Sequence, residues 1–192
     1  MKKLLFIALF SLQFAQAQEG SDTPAMLDGK NEVRVDLLTL ALRTEFNLTY
    51  ERFLNKDFSV GVFGGIADSK KLNDDFDSGY RNNVPKYEIN PFVRYNLSKS
   101  QISYYFAEVF VSANGGDFKE TVRRIDAEGN GYYVNEKSEY SDFGVGAALG
   151  YKLYIKEKFG IELLVGFGSN LFNRDKSPDT ISRVGLSLGY RF

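Results

Sequence analysis

Twelve ionisable residues stand at alternate positions of short segments whose intervening positions are apolar. They are Glu32, Arg34, Asp36, Glu51, Glu88, Arg94, Glu108, Asp142, Lys152, Glu162, Arg183 and Arg191. Carboxylates set among guanidinium and ammonium groups can do acid–base work, or they can neutralise one another. The 192-residue chain contains no His and no Cys. That removes His-dependent triads, thiolate nucleophiles, disulfides and imidazole or thiolate metal sites. The chemistry left to these residues is ion pairing in a confined space, where every charge needs a partner because an uncompensated buried one is costly. No residue earns a catalytic assignment, no cofactor or metal site is assigned, and an enzyme is not expected. With 24 basic and 25 acidic residues interspersed, the chain lacks the clustered basic footprint that phosphate backbones require, and nucleic acid is not an expected partner.

The elements that must carry these charges have a period of two. Val33 and Val35 alternate with Glu32 and Arg34; Phe46, Leu48 and Tyr50 with Asn47 and Glu51; Phe58, Val60 and Val62 with Ser59 and Gly61. The same pattern recurs over 87–95, 104–112, 142–152, 159–168 and 183–192. Eighteen Gly, seventeen Phe and twelve Tyr with only four Pro fit an all-β protein. Eight such strands can close on themselves and leave no edge to protect. The expected fold is an eight-stranded antiparallel up-and-down transmembrane β-barrel over residues 32–192. Tight connections at 54–57, 98–101 and 154–158 alternate with long ones at 68–85, 114–137 and 171–180, which places all long loops at one end. The first connection, near 41–43, is expected to be short although it has neither Gly nor Pro.

Alternation alone cannot tell an oily inside from an oily outside. Two features favour the outside. Tyr50, Phe58, Tyr95, Tyr105, Tyr151, Phe159 and Tyr190 all belong to the apolar face near the tight-turn end, as an aromatic girdle at a lipid–water interface requires. The charged face is crowded with glycines, among them Gly61, Gly65, Gly144, Gly146, Gly150, Gly166, Gly168, Gly185 and Gly189, and a narrow eight-stranded lumen needs small residues. On this reading the charges form a polar network that plugs the lumen. The alternative is an exposed face of a soluble barrel.

Lys2 and Lys3, an apolar run over residues 4–14 and Ala15-Gln16-Ala17 read as a cleaved signal peptide over 1–17, followed by a loose leader over 18–31. Asn73, Asp75, Asp77 and Gly79 space oxygen ligands faintly as a calcium loop does, but the Gly is one place late and no closing Glu follows. Asn47-Leu48-Thr49 and Asn96-Leu97-Ser98 match the glycosylation pattern by chance. Ala127-Glu128-Gly129-Asn130-Gly131 contains the Asn-Gly hairpin signal, so the fifth and sixth strands are expected to continue as a protruding hairpin.

With the signal segment, eight alternating strands, the aromatic ring and the closing Leu186-Ser187-Leu188-Gly189-Tyr190-Arg191-Phe192, the chain resembles the small outer-membrane β-barrel family, in particular OmpX-like proteins and the barrel domain of OmpA. The resemblance implies a place in the bacterial outer membrane and a non-enzymatic role in envelope structure or surface adhesion through the outer loops. It also implies contact with membrane lipid and lipopolysaccharide. Leu188, Tyr190 and Phe192 match the signal read by the barrel assembly machinery. The protruding hairpin would meet an extracellular protein partner by backbone pairing, and Arg123 and Arg124 could contact anionic lipopolysaccharide or simply sit on a solvated face. A small channel or transporter and a soluble periplasmic lipid-binding barrel are the alternatives. Pro91, inside the fourth strand, departs from the pattern and predicts a bulge there.

Overall fold

The computed structural model describes residues 29–43, 45–98 and 100–192. The expected signal peptide and most of the leader lie outside the described residues. The alternating segments form eight strands: β1 (Asn31–Asp36), β2 (Glu45–Phe53), β3 (Phe58–Ala67), β4 (Asn83–Asn96), β5 (Ser103–Ile125), β6 (Gly131–Ile155), β7 (Phe159–Asn170) and β8 (Thr180–Arg191). Each pairs antiparallel with its neighbours in sequence, and β8 returns to β1 to close the barrel. Reciprocal backbone bonds between Asn31 and Phe192, at 2.9 and 2.8 Å, complete the seam. The expected eight-stranded up-and-down barrel is the fold found.

Its sidedness follows from exposure. Leu163, Val145 and Val109 remain 54%, 47% and 60% exposed on the outer surface, whereas Glu162, Glu108 and Lys152 are at most 3% exposed inside. An apolar band of this extent far exceeds the patch a water-soluble surface carries and suits lipid. At the tight-turn end the expected girdle residues lie on the outside and meet across strand pairs: Phe58 with Tyr95 at 5.0 Å between ring centroids, Tyr105 with Tyr151 at 4.9 Å, Phe159 with Tyr190 at 5.5 Å. Tyr50 donates from its hydroxyl to Asn31 Oδ1 at 2.8 Å. A second outer belt, not recognised from the sequence, contains Phe46, Tyr87, Phe143 and Phe167. Tyr87 and Tyr95 on β4, Phe143 and Tyr151 on β6, and Phe159 and Phe167 on β7 are each eight residues apart. At ordinary strand rise and tilt that separation is about 20 Å along the barrel axis, close to the height of an outer-membrane apolar band.

The connections depart from expectation in four places. The first is no bare turn: it contains helix α1 (Leu37–Arg43). Asp36 caps it, accepting from Leu38 N at 2.9 Å and Thr39 N at 3.2 Å, and a side-chain cap can start a helix with no help from Gly or Pro. Helix α2 (Lys70–Asp77) occupies the β3–β4 connection. Its helical backbone sets Asn73, Asp75 and Asp77 along a rod, so they do not wrap a cation as the calcium-loop spacing would need. The register of β4 runs through Pro91 without a shift, with Ile89 opposite Ala113 and Phe92 opposite Phe110. The bulge lies instead between Pro85 and Tyr87. The hairpin turn is Asp126 to Asn130, with Gly129 at φ +87°. Asp126 Oδ1 accepts from Glu128 N and Asn130 N and so fixes the turn before Gly131, which already belongs to β6. At the other end the three-residue β6–β7 connection between paired Ile155 and Phe159 puts Lys156 and Glu157 at φ 52° and 60°, the positive-φ pair whose twist matches that of the flanking strands.

Candidate functional site

Alternation along all eight strands drives one set of side chains into a lumen too narrow for them to avoid one another. Four bases and four acids meet there: Arg34, Arg94, Lys152 and Arg183 with Glu32, Glu51, Glu108 and Glu162. Each is buried. Lys152 Nζ lies 2.8 Å from Glu51, 3.0 Å from Glu162 and 3.1 Å from Glu32, so its three donors find three carboxylates. Arg94 holds Glu162 through both Nη atoms at 2.7 and 2.9 Å, and its Nε reaches Glu108 at 2.6 Å. Such forked contacts are the strong, directional kind. Arg34 bridges Glu32 at 2.7 Å and Glu51, while Arg183 bonds Glu108. Tyr154 and Ser59 donate hydroxyls to Glu32 and Glu51.

The carboxylates of Glu32, Glu51 and Glu162 come within 4.8 Å of one another, close enough to share a metal ion. Lys152 Nζ already occupies their point of convergence, and the bonds it makes there do the neutralising that a cation would do.

Four residues expected in the network work elsewhere. Asp36 is spent on capping α1. Asp142 is buried but faces the β7–β8 connection, where it accepts from Phe172 N at 3.0 Å, Asn173 N at 2.9 Å and Ser177 Oγ at 2.6 Å. Glu88 is only half-buried and accepts from Asn90 at 3.2 Å. Arg191 lies at the tight-turn end, 3.9 Å from the Phe53 ring centroid, and donates to Gly29 O at 2.6 Å. These positions share the inward phase of the alternation, but they stand at the lumen's ends, where backbone groups and rings are nearer than opposite charges.

Aromatic rings inside the lumen were not assigned a role from the sequence. Arg94 is sandwiched between Phe92 and Phe106 at 4.6 and 4.2 Å, and Arg183 between Phe63 and Phe110 at 4.8 and 4.7 Å. The glycines make room for these rings. Phe92 lies opposite Gly61, Phe106 opposite Gly150 and Phe110 opposite Gly146, and a Cβ at any of the three glycines would overlap the facing ring. Below the ions Phe53, Tyr104, Phe106 and Arg191 leave only about 20 Å³, room for about one water. Above them lies a cavity of about 290 Å³.

Beyond the barrel wall β5 and β6 continue as the expected hairpin. Residues 120–125 pair only with 131–136, and residues 131–141 of β6 pair with no strand but β5. Arg124 is exposed and paired with Glu136; Arg123, also exposed, is close to Gly131. Helix α2 is tied to the hairpin base. Lys119 donates to the Phe76 carbonyl, Lys137 pairs with Asp77 at 2.6 Å, and both ammonium groups lie over the Phe76 ring. The Lys137 ammonium holds the Asp77 carboxyl below its ordinary range. Nearby, the bond to Asp117 raises Lys86 above the usual lysine value.

The barrel is similar in fold to two solved structures. One is the N-terminal β-barrel domain of Pseudomonas aeruginosa OprF, with a TM-score of 0.53 and 10% identity over 84% of this chain and 95% of that one. The other is Neisserial surface protein A, with a TM-score of 0.52 and 9% identity over 84% and 94%. No curated protein sequence matches the chain. The family model described as "Protein of unknown function (DUF3575)" matches residues 4–184, from ahead of β1 into β8, and the chain belongs to that family.

Proposed function

We propose that the chain is a non-enzymatic β-barrel of the bacterial outer membrane that serves envelope structure or surface adhesion by presenting the β5–β6 hairpin outside the cell. The observation that carries this reading is the pair of open edges at 120–125 and 131–141, set above an apolar band flanked by two aromatic belts. Backbone groups along an unpaired edge accept an added strand from an extended partner, and Tyr132, Tyr133 and Ile125 offer exposed apolar contacts beside them. A non-enzymatic role is supported by the sequence, which has neither His nor Cys, and by the lumen, whose ionisable groups are engaged with one another. The closing strand, with Leu188, Tyr190 and Phe192, is the element we assign to recognition by the assembly machinery. The lipid band and the girdles contact membrane lipid.

Fractionation of expressing cells tests the placement. The protein is expected in the outer-membrane fraction, as a band whose migration changes only after boiling in detergent, with surface protease cutting within 119–137. Recovery from the soluble periplasm rejects the reading. Cells carrying a hairpin-shortened chain are expected to lose adhesion while keeping the heat-dependent band, and unchanged adhesion rejects the hairpin's role. The channel reading is opposed by the filled lumen, and planar-bilayer recordings are expected to show no conductance.

A further inference from the structure

The cavity above the ion cluster is built differently from the plugged half beneath it. At about 290 Å³ it lies at the lower end of the sizes that enclose a small organic molecule. Its floor is Arg94, Glu162 and Arg183, already committed to ion pairs. Glu45 and Glu88, which also line it, have interactions of their own, and Asp36 is held by α1. The walls are amides and hydroxyls, among them Asn47, Asn83, Asn114 and Thr49, with apolar surface from Phe63 and Ile181. Tyr140 lines it too. Its side chain is 4% exposed, and its hydroxyl reaches no hydrogen-bond partner among the described residues. Arg81, half-buried, lines the cavity from the β3–β4 connection, and its buried Nε likewise has no hydrogen-bond partner among the described residues.

Buried polar groups in native proteins are normally satisfied, and one that is not points to a missing partner. The charge of that partner is limited. Four bases balance four acids below, and at the rim Arg81 stands among the carboxylates of Asp36, Glu45 and Glu88, so an anion would face those acids and a cation would face the guanidinium. A neutral molecule with several hydroxyls can both give and take hydrogen bonds with amides and a phenol, and its C–H faces suit Phe63 and Ile181. We propose that this cup binds a small uncharged polyhydroxylated molecule, a single sugar residue in size, with the Tyr140 hydroxyl and Arg81 Nε as hydrogen-bonding partners. The site stands whether or not the hairpin meets a partner.

The test is an NMR titration of the isotope-labelled full chain, refolded in phosphocholine micelles to keep detergent sugars away. The probes are glucose, galactose and N-acetylglucosamine, with sulfate and spermidine as charged comparators. At least one sugar is expected to shift the amide signals of Asn83, Asn170 and Thr180 saturably, while neither ion does. Tyr140→Phe removes one hydrogen bond and is expected to weaken binding roughly two- to tenfold with the heat-dependent band intact. Thr49→Trp fills the cup from β2 and is expected to abolish the shifts; if that variant does not fold, Tyr140→Phe decides alone. The proposal is overturned if no sugar moves these signals, if only sulfate or spermidine does, or if Tyr140→Phe binds as the parent chain does.

Discussion

Strands β5 and β6 each run through two environments, and the same backbone obeys different rules in each. Between Tyr140 and Val145 burial alternates residue by residue, with Tyr140, Asp142 and Gly144 buried and Ser141, Phe143 and Val145 exposed. Over residues 131–135 every side chain is exposed, and Tyr132 beside Tyr133 faces Arg124 beside Arg123. Pairing continues unbroken across the change. Strict polarity alternation is therefore imposed by the barrel's two-sided environment, lipid outside and a crowded lumen inside, and not by strand geometry alone. Where the barrel ends, the sequence is released from that demand and the same strands can present whatever a partner requires.

The sharpest way to break this comparison is to delete one carboxylate in each region. Glu162→Ala would leave Arg34, Arg94 and Lys152 short of a shared acid in a buried site, and is expected to cost about 3 to 5 kcal/mol in urea unfolding from lipid vesicles. Glu136→Ala removes the partner of Arg124, whose pair is 57% and 39% exposed, and is expected to cost less than about 1 kcal/mol. Equal costs would mean that the lumen is wet enough to solvate its charges.

A second contrast lies within the barrel wall. Gly150→Ala drives a methyl into the Phe106 ring, whereas Gly64 faces open space with nothing within 4 Å. The first is expected to cost about 1 to 3 kcal/mol by overpacking, while Gly64→Ala should be close to neutral. Replacing residues 121–135 by a two-residue Asn-Gly turn should change barrel stability by no more than about 0.5 kcal/mol, because the hairpin's tip packs against no other strand.

The same contrast explains what could be read in advance. Inside the barrel, alternation placed Arg34, Glu51, Arg94, Lys152 and Glu162 on the inward face, and the pattern needed no knowledge of which strand met which. The rings were legible only in half. Phe92, Phe106 and Phe110 stand on the charged face by phase, but their seats at Gly61, Gly150 and Gly146 appear only once the register is known. Asp36 and Asp142 have the right phase and the wrong height. Phase is local in sequence, whereas height along the axis depends on tilt and stagger summed around the barrel. Helix α1 was missed because one carboxylate starts it, and the cup because a cavity is defined by residues from many strands at once.

The smallest expected effect separates two lysines that hold α2 to the hairpin base. Lys119 is buried and donates to a backbone carbonyl, a bond with no acidic partner to titrate. Lys137 pairs with the exposed carboxylate of Asp77, which it holds below the ordinary range. An unfolded Asp titrates near about pH 4, so this tether contributes fully above that value and is lost as pH falls through the lower value of the folded state. NMR amide shifts over residues 70–77 should therefore hold steady from neutral pH down to about 4 and move together below it, while signals of β4 stay in place. Lys137→Met should produce the moved positions already at neutral pH. If the helix signals ignore both acid and that substitution, Lys119 alone carries the attachment. The helix would then be anchored by the buried end of the hairpin base, with its exposed charges contributing nothing measurable.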